Sequence, residues 1–333
     1  SVSAFLLNRS SDLEIFDNPN IPDGINVTFK SSTGNLDTVV ATKNAQASVN
    51  YTIDANDTEI TVTSSNAEIV LYIVEPFDGN VTQDNFDQYF DESGMLRDEV
   101  VFEKLVFKGE FNALAAGYVI LTKSVEIVGK DAVLNNMGIV IAHSDISISN
   151  ITLNANTALG DLISVTESNV NLTNLNITYN ISTNENGRAV SVIAAQNVTV
   201  KDSVVDFESH VTSSATDGVG INIEESENVF VDSCNIKTSL PALLVDYEAA
   251  TTEFMGIDLV NPIRIMGSKN VQITKNAIDS KTNDYSQAYA TIQAILVVDT
   301  EDCLIDSNKI TLIDELAQKD QDIYLYAISF AYD

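Results

Sequence analysis

The chain has 333 residues, 48 of them acidic against 17 basic, for a formal charge of −31. So large an acid excess excludes the clustered Lys and Arg of a nucleic-acid surface, and no stretch reaches the roughly 18 apolar residues of a membrane span. No nucleic-acid partner and no membrane contact by this chain are therefore expected, and the length allows two domains.

The chain opens at Ser1 without Met or a signal peptide, so any signal or anchor is expected to lie outside it. Up to about residue 75 it reads as short alternating strands: Ile25, Val27 and Phe29; Ala47, Val49, Tyr51 and Ile53; Ile60 and Val62; Ile69, Leu71 and Ile73. Pro22-Asp23-Gly24, Thr33-Gly34-Asn35 and Asn56-Asp57 punctuate them, the pattern of a small β-sandwich over 1–75. Residues 76–112 read as a joint. There Phe86, Tyr89 and Phe90 fall at helical spacing after a possible cap at Thr82. A short amphipathic helix at that point would cover the open first coil of whatever follows.

From 113 to 333 a short phrase recurs, starting at Asp145, Asn169, Asn197, Asn228, Asn270 and Asp302. Counting the start as zero, offset 3 holds Ile148, Leu172, Val200, Val231, Ile273 and Ile305. Offset 8 holds Leu153, Ile177, Val205, Ile236, Ile278 and Ile310. Self-similarity at such a period marks a solenoid. A spacing of two, with Val, Ile and Thr dominant, argues for strands over helices. A further strand precedes each phrase, with Ile163, Val190, Ile221, Ile263 and Ile295 inward. The expected fold is all-β: a β-sandwich followed by a right-handed parallel β-helix of three-strand coils, pectate-lyase-like. About seven coils and some 35 Å of rod are predicted. Offset 6 carries Asn276 and Asn308, which are expected to stack as a buried amide ladder. Cys234 and Cys303 lie two coils apart, too far for a disulfide, and are expected as free core thiols.

Catalysis finds little support in the outward positions. Offset 2 and the preceding strand hold no carboxylate, and the two histidines, His143 and His210, have no nucleophile motif beside them. The long insertions, 179–188, 207–219, 238–262 and 280–293, leave each coil at one corner and are expected to stack as a wall of loops. That wall carries Tyr179 and, as candidate ligand-binding residues, Tyr247, Phe254, Tyr285, Tyr289, Asp246 and Glu248, aromatic faces beside carboxylates that suit sugars or cationic partners. No resident cofactor is expected, and the acid excess allows for Ca2+. Asn-x-Ser/Thr occurs ten times. The glycosylation candidates on the β-helix are Asn150, Asn171, Asn176, Asn180 and Asn197.

The run IPDGINVTFKSSTGNLDT resembles a bacterial-type Ig-like repeat of surface proteins, and FKGEFNALAAGYVILTKSVEIVGKDAVLNNMGIVI resembles the opening of the β-helix in methanogen adhesin-like proteins. That resemblance implies an extracellular archaeal protein of the cell surface or cell wall. It brings no catalytic motif. The expectation is a non-catalytic, adhesin-like chain that binds carbohydrate or a partner-cell surface through the loop wall. A structural stalk and a polysaccharide lyase or hydrolase are the alternatives.

Overall fold

The computed structural model describes residues 12–14, 22–44, 47–51, 59–64, 67–72, 78–112, 117–181, 186–210, 218–242, 260–285, 289–313 and 322–331. The chain divides into two units, Ser1–Asp78 and Gly79–Asp333. In the first, strands Asp37–Ala41, Asn26–Ser31, Glu59–Ser64 and Ala67–Tyr72 form an antiparallel sheet in that order, and Asp12–Glu14 pairs with Ser48–Asn50. Val27, Phe29, Leu36, Ala47, Ile60 and Val62 make its core. The described strands amount to this sheet and this pair, which falls short of the Ig-like sandwich that the sequence predicts.

The second unit is a parallel β-helix. Alternation explains why: every second side chain is a buried aliphatic, and each coil pairs edge to edge with the next. Three faces result. The first holds the eight-stranded sheet from Tyr118–Leu121 to Asp322–Ala331. The second and third hold strands such as Gln196–Lys201 and Val204–Ser209, which the earliest coils run together as one strand, as in Ile146–Ala155. Leu105, Ile127, Ile148, Leu172, Val200, Val231, Ile273 and Ile305 are successive register partners, one per coil. Phe111, Leu134, Leu153, Ile177, Val205, Ile236, Ile278 and Ile310 form a parallel column on the third face. Among the described residues there are eight coils rather than about seven, because Lys104–Asn112, which the sequence assigns to the joint, is already a coil of the β-helix.

A short helical turn closes that first coil. Gln83–Asn85 and Phe86–Tyr89 form it, and the Thr82 backbone N–H donates to Asn85 Oδ1 at 2.7 Å. Phe86 stacks on Phe90 with ring centroids 4.5 Å apart, and the two rings meet Phe111 and Phe107 of the first coil edge-on. The cap that the spacing of Phe86, Tyr89 and Phe90 predicts is present.

The phrase starts have a conformational cause. Asp145, Asn169, Asn197, Asn228, Asn270 and Asp302 all have φ between 50° and 61°. This is the left-handed region, which Asn and Asp tolerate best among residues with a side chain. Their side chains also form a ladder. Each amide nitrogen donates to the preceding coil: Asn169 to Asp145 at 2.9 Å, Asn197 to Asn169 at 2.9 Å, Asn228 to Asn197 at 3.1 Å and Asn270 to Asn228 at 2.7 Å. Asp145 fits the first place because it only needs to accept. Asn228→Ala should cost about 2 kcal/mol in chemical unfolding, from two lost hydrogen bonds and a strained backbone. Asn228→Gly should recover the backbone share and cost less.

The offset-6 ladder is also there. Asn308 Oδ1 accepts from the Asn276 side chain at 3.0 Å and from its backbone at 2.9 Å, and Asn276 Oδ1 accepts from the Cys234 backbone at 2.8 Å. Both cysteines are free, Cys234 buried and Cys303 half-buried. Burial pushes the Cys234 thiol up to about 11. Thiol titration of the native protein at pH 8 should therefore label Cys303 first and leave Cys234 unmodified until unfolding.

Candidate functional site

The wall of loops is smaller than the sequence predicts. Strands continue past offset 9, through Asn176–Ile181, Val204–Ser209, Asn235–Ala242 and Ala277–Tyr285. Tyr179 is a fully buried core residue, whose hydroxyl accepts from the Leu159 N–H at 2.8 Å and donates to the Gly160 carbonyl at 3.2 Å. Tyr285 and Tyr289 belong to strands Ala277–Tyr285 and Tyr289–Val298, not to a loop. Tyr247, Phe254, Asp246 and Glu248 lie outside the described residues. The physical reason for the extension is that inward positions beyond offset 9 stay buried, Tyr179, Ile181, Phe207 and Leu240 as apolar core and others as polar groups that pair. Thr238 Oγ1, for example, bonds Ser280 Oγ at 2.8 Å, and both residues are buried.

The outer side of the first face is covered over four coils. Ser191 and Asn222 are 0% exposed, Leu296 2% and Arg264 4%. Arg264 Nε donates to Asn222 Oδ1 at 2.8 Å. One coil set earlier, Arg188 pairs with Asp161 at 3.5 Å. These groups satisfy one another and leave little surface for a ligand. Among the described residues no cluster of three or more His, Cys, Asp or Glu is placed to hold a metal.

An open polar groove lies instead at the corner between the second and third faces, in the early coils. Strand Glu126–Asn135 pairs with Ile146–Ala155, with Val128 opposite Ser149 and Ala132 opposite Ile151, so Gly129, Lys130 and Asp131 bulge out opposite the single residue Asn150. Gly129 makes this possible, since a Cβ there would sit 2.0 Å from the Asn150 carbonyl oxygen. Asp131 (φ 56°), Asn150 (φ 59°) and Asn174 (φ 53°) turn the corner in the left-handed region. The resulting groove, about 600 Å³, is lined by Gly129–Val133, Asn150–Thr152, Asn174 and Asn176.

Lys130, Asp131, Asn150, Asn174 and Asn176 are exposed. Asn174 Nδ2 donates to Asn150 Oδ1 at 2.7 Å, which fixes both amides. In the preceding coil Lys108 is the register partner of Lys130, and Glu110 partners Val133 just beyond the bulge. Glu110 and Asp131 are thus exposed carboxylates on adjacent coils beside one groove. Amides and hydroxyls that both donate and accept suit sugar hydroxyls.

Two of the glycosylation candidates, Asn150 and Asn176, line this groove, and a glycan there would occupy it. Asn171 and Asn180 are exposed on strands, and Asn197 is exposed with its amide nitrogen committed to the corner ladder. The signal missed in the sequence is the GKD triplet at 129–131, an insertion visible only against the register of the next coil.

No protein-family model and no curated protein matches the chain. Among solved structures it is similar to the enzymatically active domain of tailspike protein 2 of bacteriophage CBA120, at 11% identity and a TM-score of 0.34, over 94% of this chain and 55% of that one. The chain thus spans about half the length of that domain. It is also similar to the catalytic domain of a GH87 alpha-1,3-glucanase in complex with tetrasaccharides, at 10% identity and a TM-score of 0.24, over 96% of this chain and 88% of that one. A structure of the same kind of domain in complex with nigerose gives 10% identity and a TM-score of 0.22 over the same shares. All three are enzymatically active or catalytic domains, which goes against the expectation of an adhesive chain without enzymatic activity.

Proposed function

We propose that the chain is a polysaccharide-processing domain that hydrolyses a glycan laid across the corner groove. The observation that supports this reading is the placement of Glu110 and Asp131, two exposed carboxylates on neighbouring coils beside a polar groove. Coils repeat at about 4.8 Å, and glycoside hydrolysis uses carboxyl pairs roughly 5–9 Å apart, so carboxylates on adjacent coils are the arrangement that suits it. One carboxyl group protonates the departing glycosidic oxygen. The other activates water or attacks the anomeric carbon. Asn150, Asn174, Asn176 and Thr152 hold ring hydroxyls, and Lys130 adds a charged donor. The setting we propose is extracellular, where such polymers are met. The first unit is proposed as an Ig-like module and the β-helix as right-handed, the hand that strand twist favours.

A panel of soluble polysaccharides tests this. One polymer should release reducing ends, and Glu110→Gln and Asp131→Asn should each lower kcat by about 100-fold or more with the melting temperature unchanged. Ultraviolet-absorbing unsaturated ends in place of plain reducing ends would replace hydrolysis by elimination. Full activity in both variants would remove the groove from the mechanism.

A further inference from the structure

Charged residues that stand opposite each other on neighbouring coils are, with one exception among the described register pairs, of opposite sign. Lys104 stands opposite Glu126 and pairs with it at 3.0 Å. Further along, Lys201 stands opposite Asp232, and Glu227 opposite Lys269. The exception is Lys108 and Lys130, two lysines directly opposed on the same two strands as Lys104 and Glu126. Like charges in that position are destabilising. With 48 acidic residues against 17 basic ones, the chain makes such a pairing the least expected of all. Lys130 stands on the bulge and is exposed at the groove, and Lys108, its partner on the preceding coil, is half-buried.

We propose that this pair selects an anionic glycan: the corner groove takes a polysaccharide whose sugars carry carboxylate or sulfate groups, and Lys108 and Lys130 hold one such group between them. The inference rests on the reading of the groove as the glycan site. A lysine ammonium is a compact charge with three donors on a flexible stem. Two of them one coil apart, about 4.8 Å, can converge on a single anionic group, which turns their mutual repulsion into a clamp. A neutral sugar needs only the amides of Asn150, Asn174 and Asn176, and would leave the repulsion in place. The groove carboxylates do not cancel both lysines during hydrolysis, because one of Glu110 and Asp131 then carries the proton destined for the departing oxygen. Two ammonium groups thus face one carboxylate. The formal charge of −31 repels a polyanion at long range. Salt screens that repulsion beyond a Debye length of about 8 Å at 0.15 M, whereas the lysines act at contact.

Titration calorimetry of the whole chain carrying Glu110→Gln, which spares the polymer from cleavage, tests the proposal. The anionic probes are alginate, hyaluronan and dextran sulfate. Their neutral counterparts are carboxyl-reduced alginate, carboxyl-reduced hyaluronan and plain dextran. At least one anionic polymer should bind about 10-fold more tightly than its counterpart, or better. Alginate or hyaluronan would identify the anion as carboxylate, and dextran sulfate as sulfate. Adding Lys130→Gln should weaken that binding about 10-fold, and Lys130→Arg should keep most of it. Lys275→Gln, at an exposed lysine on a later coil, should leave it unchanged. Lys108→Glu restores the unlike pairing seen at Lys104 and Glu126. It should abolish the preference for the anionic polymer while the melting temperature stays equal or rises, so that lost affinity is not lost fold. Equal binding of anionic and neutral forms, no anionic polymer bound, or a preference untouched by Lys108→Glu would each overturn it. An anionic polymer held in the groove but left intact by the native chain would overturn hydrolysis and support this inference. Cleavage of a neutral glucan with no anionic polymer bound would do the reverse.

Discussion

Val231→Asp is expected to abolish the cooperative unfolding transition of the β-helix. Val231 is fully buried in the middle of the eight-residue column, with Val200 and Ile273 as its register partners above and below. A carboxylate there would be removed from water with aliphatic side chains on either side, and no described hydrogen-bond donor on the column could serve it. Burying an unpaired charge and breaking a dry stack together cost about 4 kcal/mol or more, which is comparable to the net stability of many domains. Val231→Ala keeps the column dry and should cost only about 1–3 kcal/mol. Circular dichroism against denaturant separates the two. An aspartate variant with a native midpoint would mean that the column contributes far less than its burial implies.

The second large effect is at Gly129. Its α-hydrogen faces the carbonyl of Asn150 on the next coil, and an alanine Cβ would lie 2.0 Å from that oxygen and 2.7 Å from its carbon. Both are backbone atoms, so the coils must part locally. Gly129→Ala should cost about 2–4 kcal/mol and displace Lys130 and Asp131 from the groove mouth. Stability and polysaccharide hydrolysis should therefore fall together. Asp131→Asn should remove hydrolysis alone. A Gly129→Ala protein with normal melting and normal activity would show that the bulge does not shape the site.

How much of this was legible in the sequence depended on what the residues had to do. The apolar columns were visible because each inward position is aliphatic in nearly every coil, and Val200, Val231 and Ile273 do superpose. The starts of the phrase were visible as letters, but their reason, a left-handed corner with a side-chain ladder, needed coordinates. The first coil was hidden because Lys104–Asn112 lacks the Asn start and is bent at Gly109 (φ 76°). Strand ends read as loops in the sequence where buried positions are polar, as at Thr238 and Ser280. The groove was not legible at all. It arises from three residues set against one, and that mismatch exists only once two coils are paired. An aromatic residue near a corner suits a ligand by type, and Tyr179 shows how the same type serves the core.

The most direct test of the account is a crystal structure of the Asp131→Asn variant soaked with an oligosaccharide from the polymer that the native chain degrades. Sugar rings should lie across the corner, touching Asn150, Asn174 and Lys130, with the glycosidic oxygen between Glu110 and position 131. Rings bound on another face of the coils, with this corner empty, would contradict the assignment.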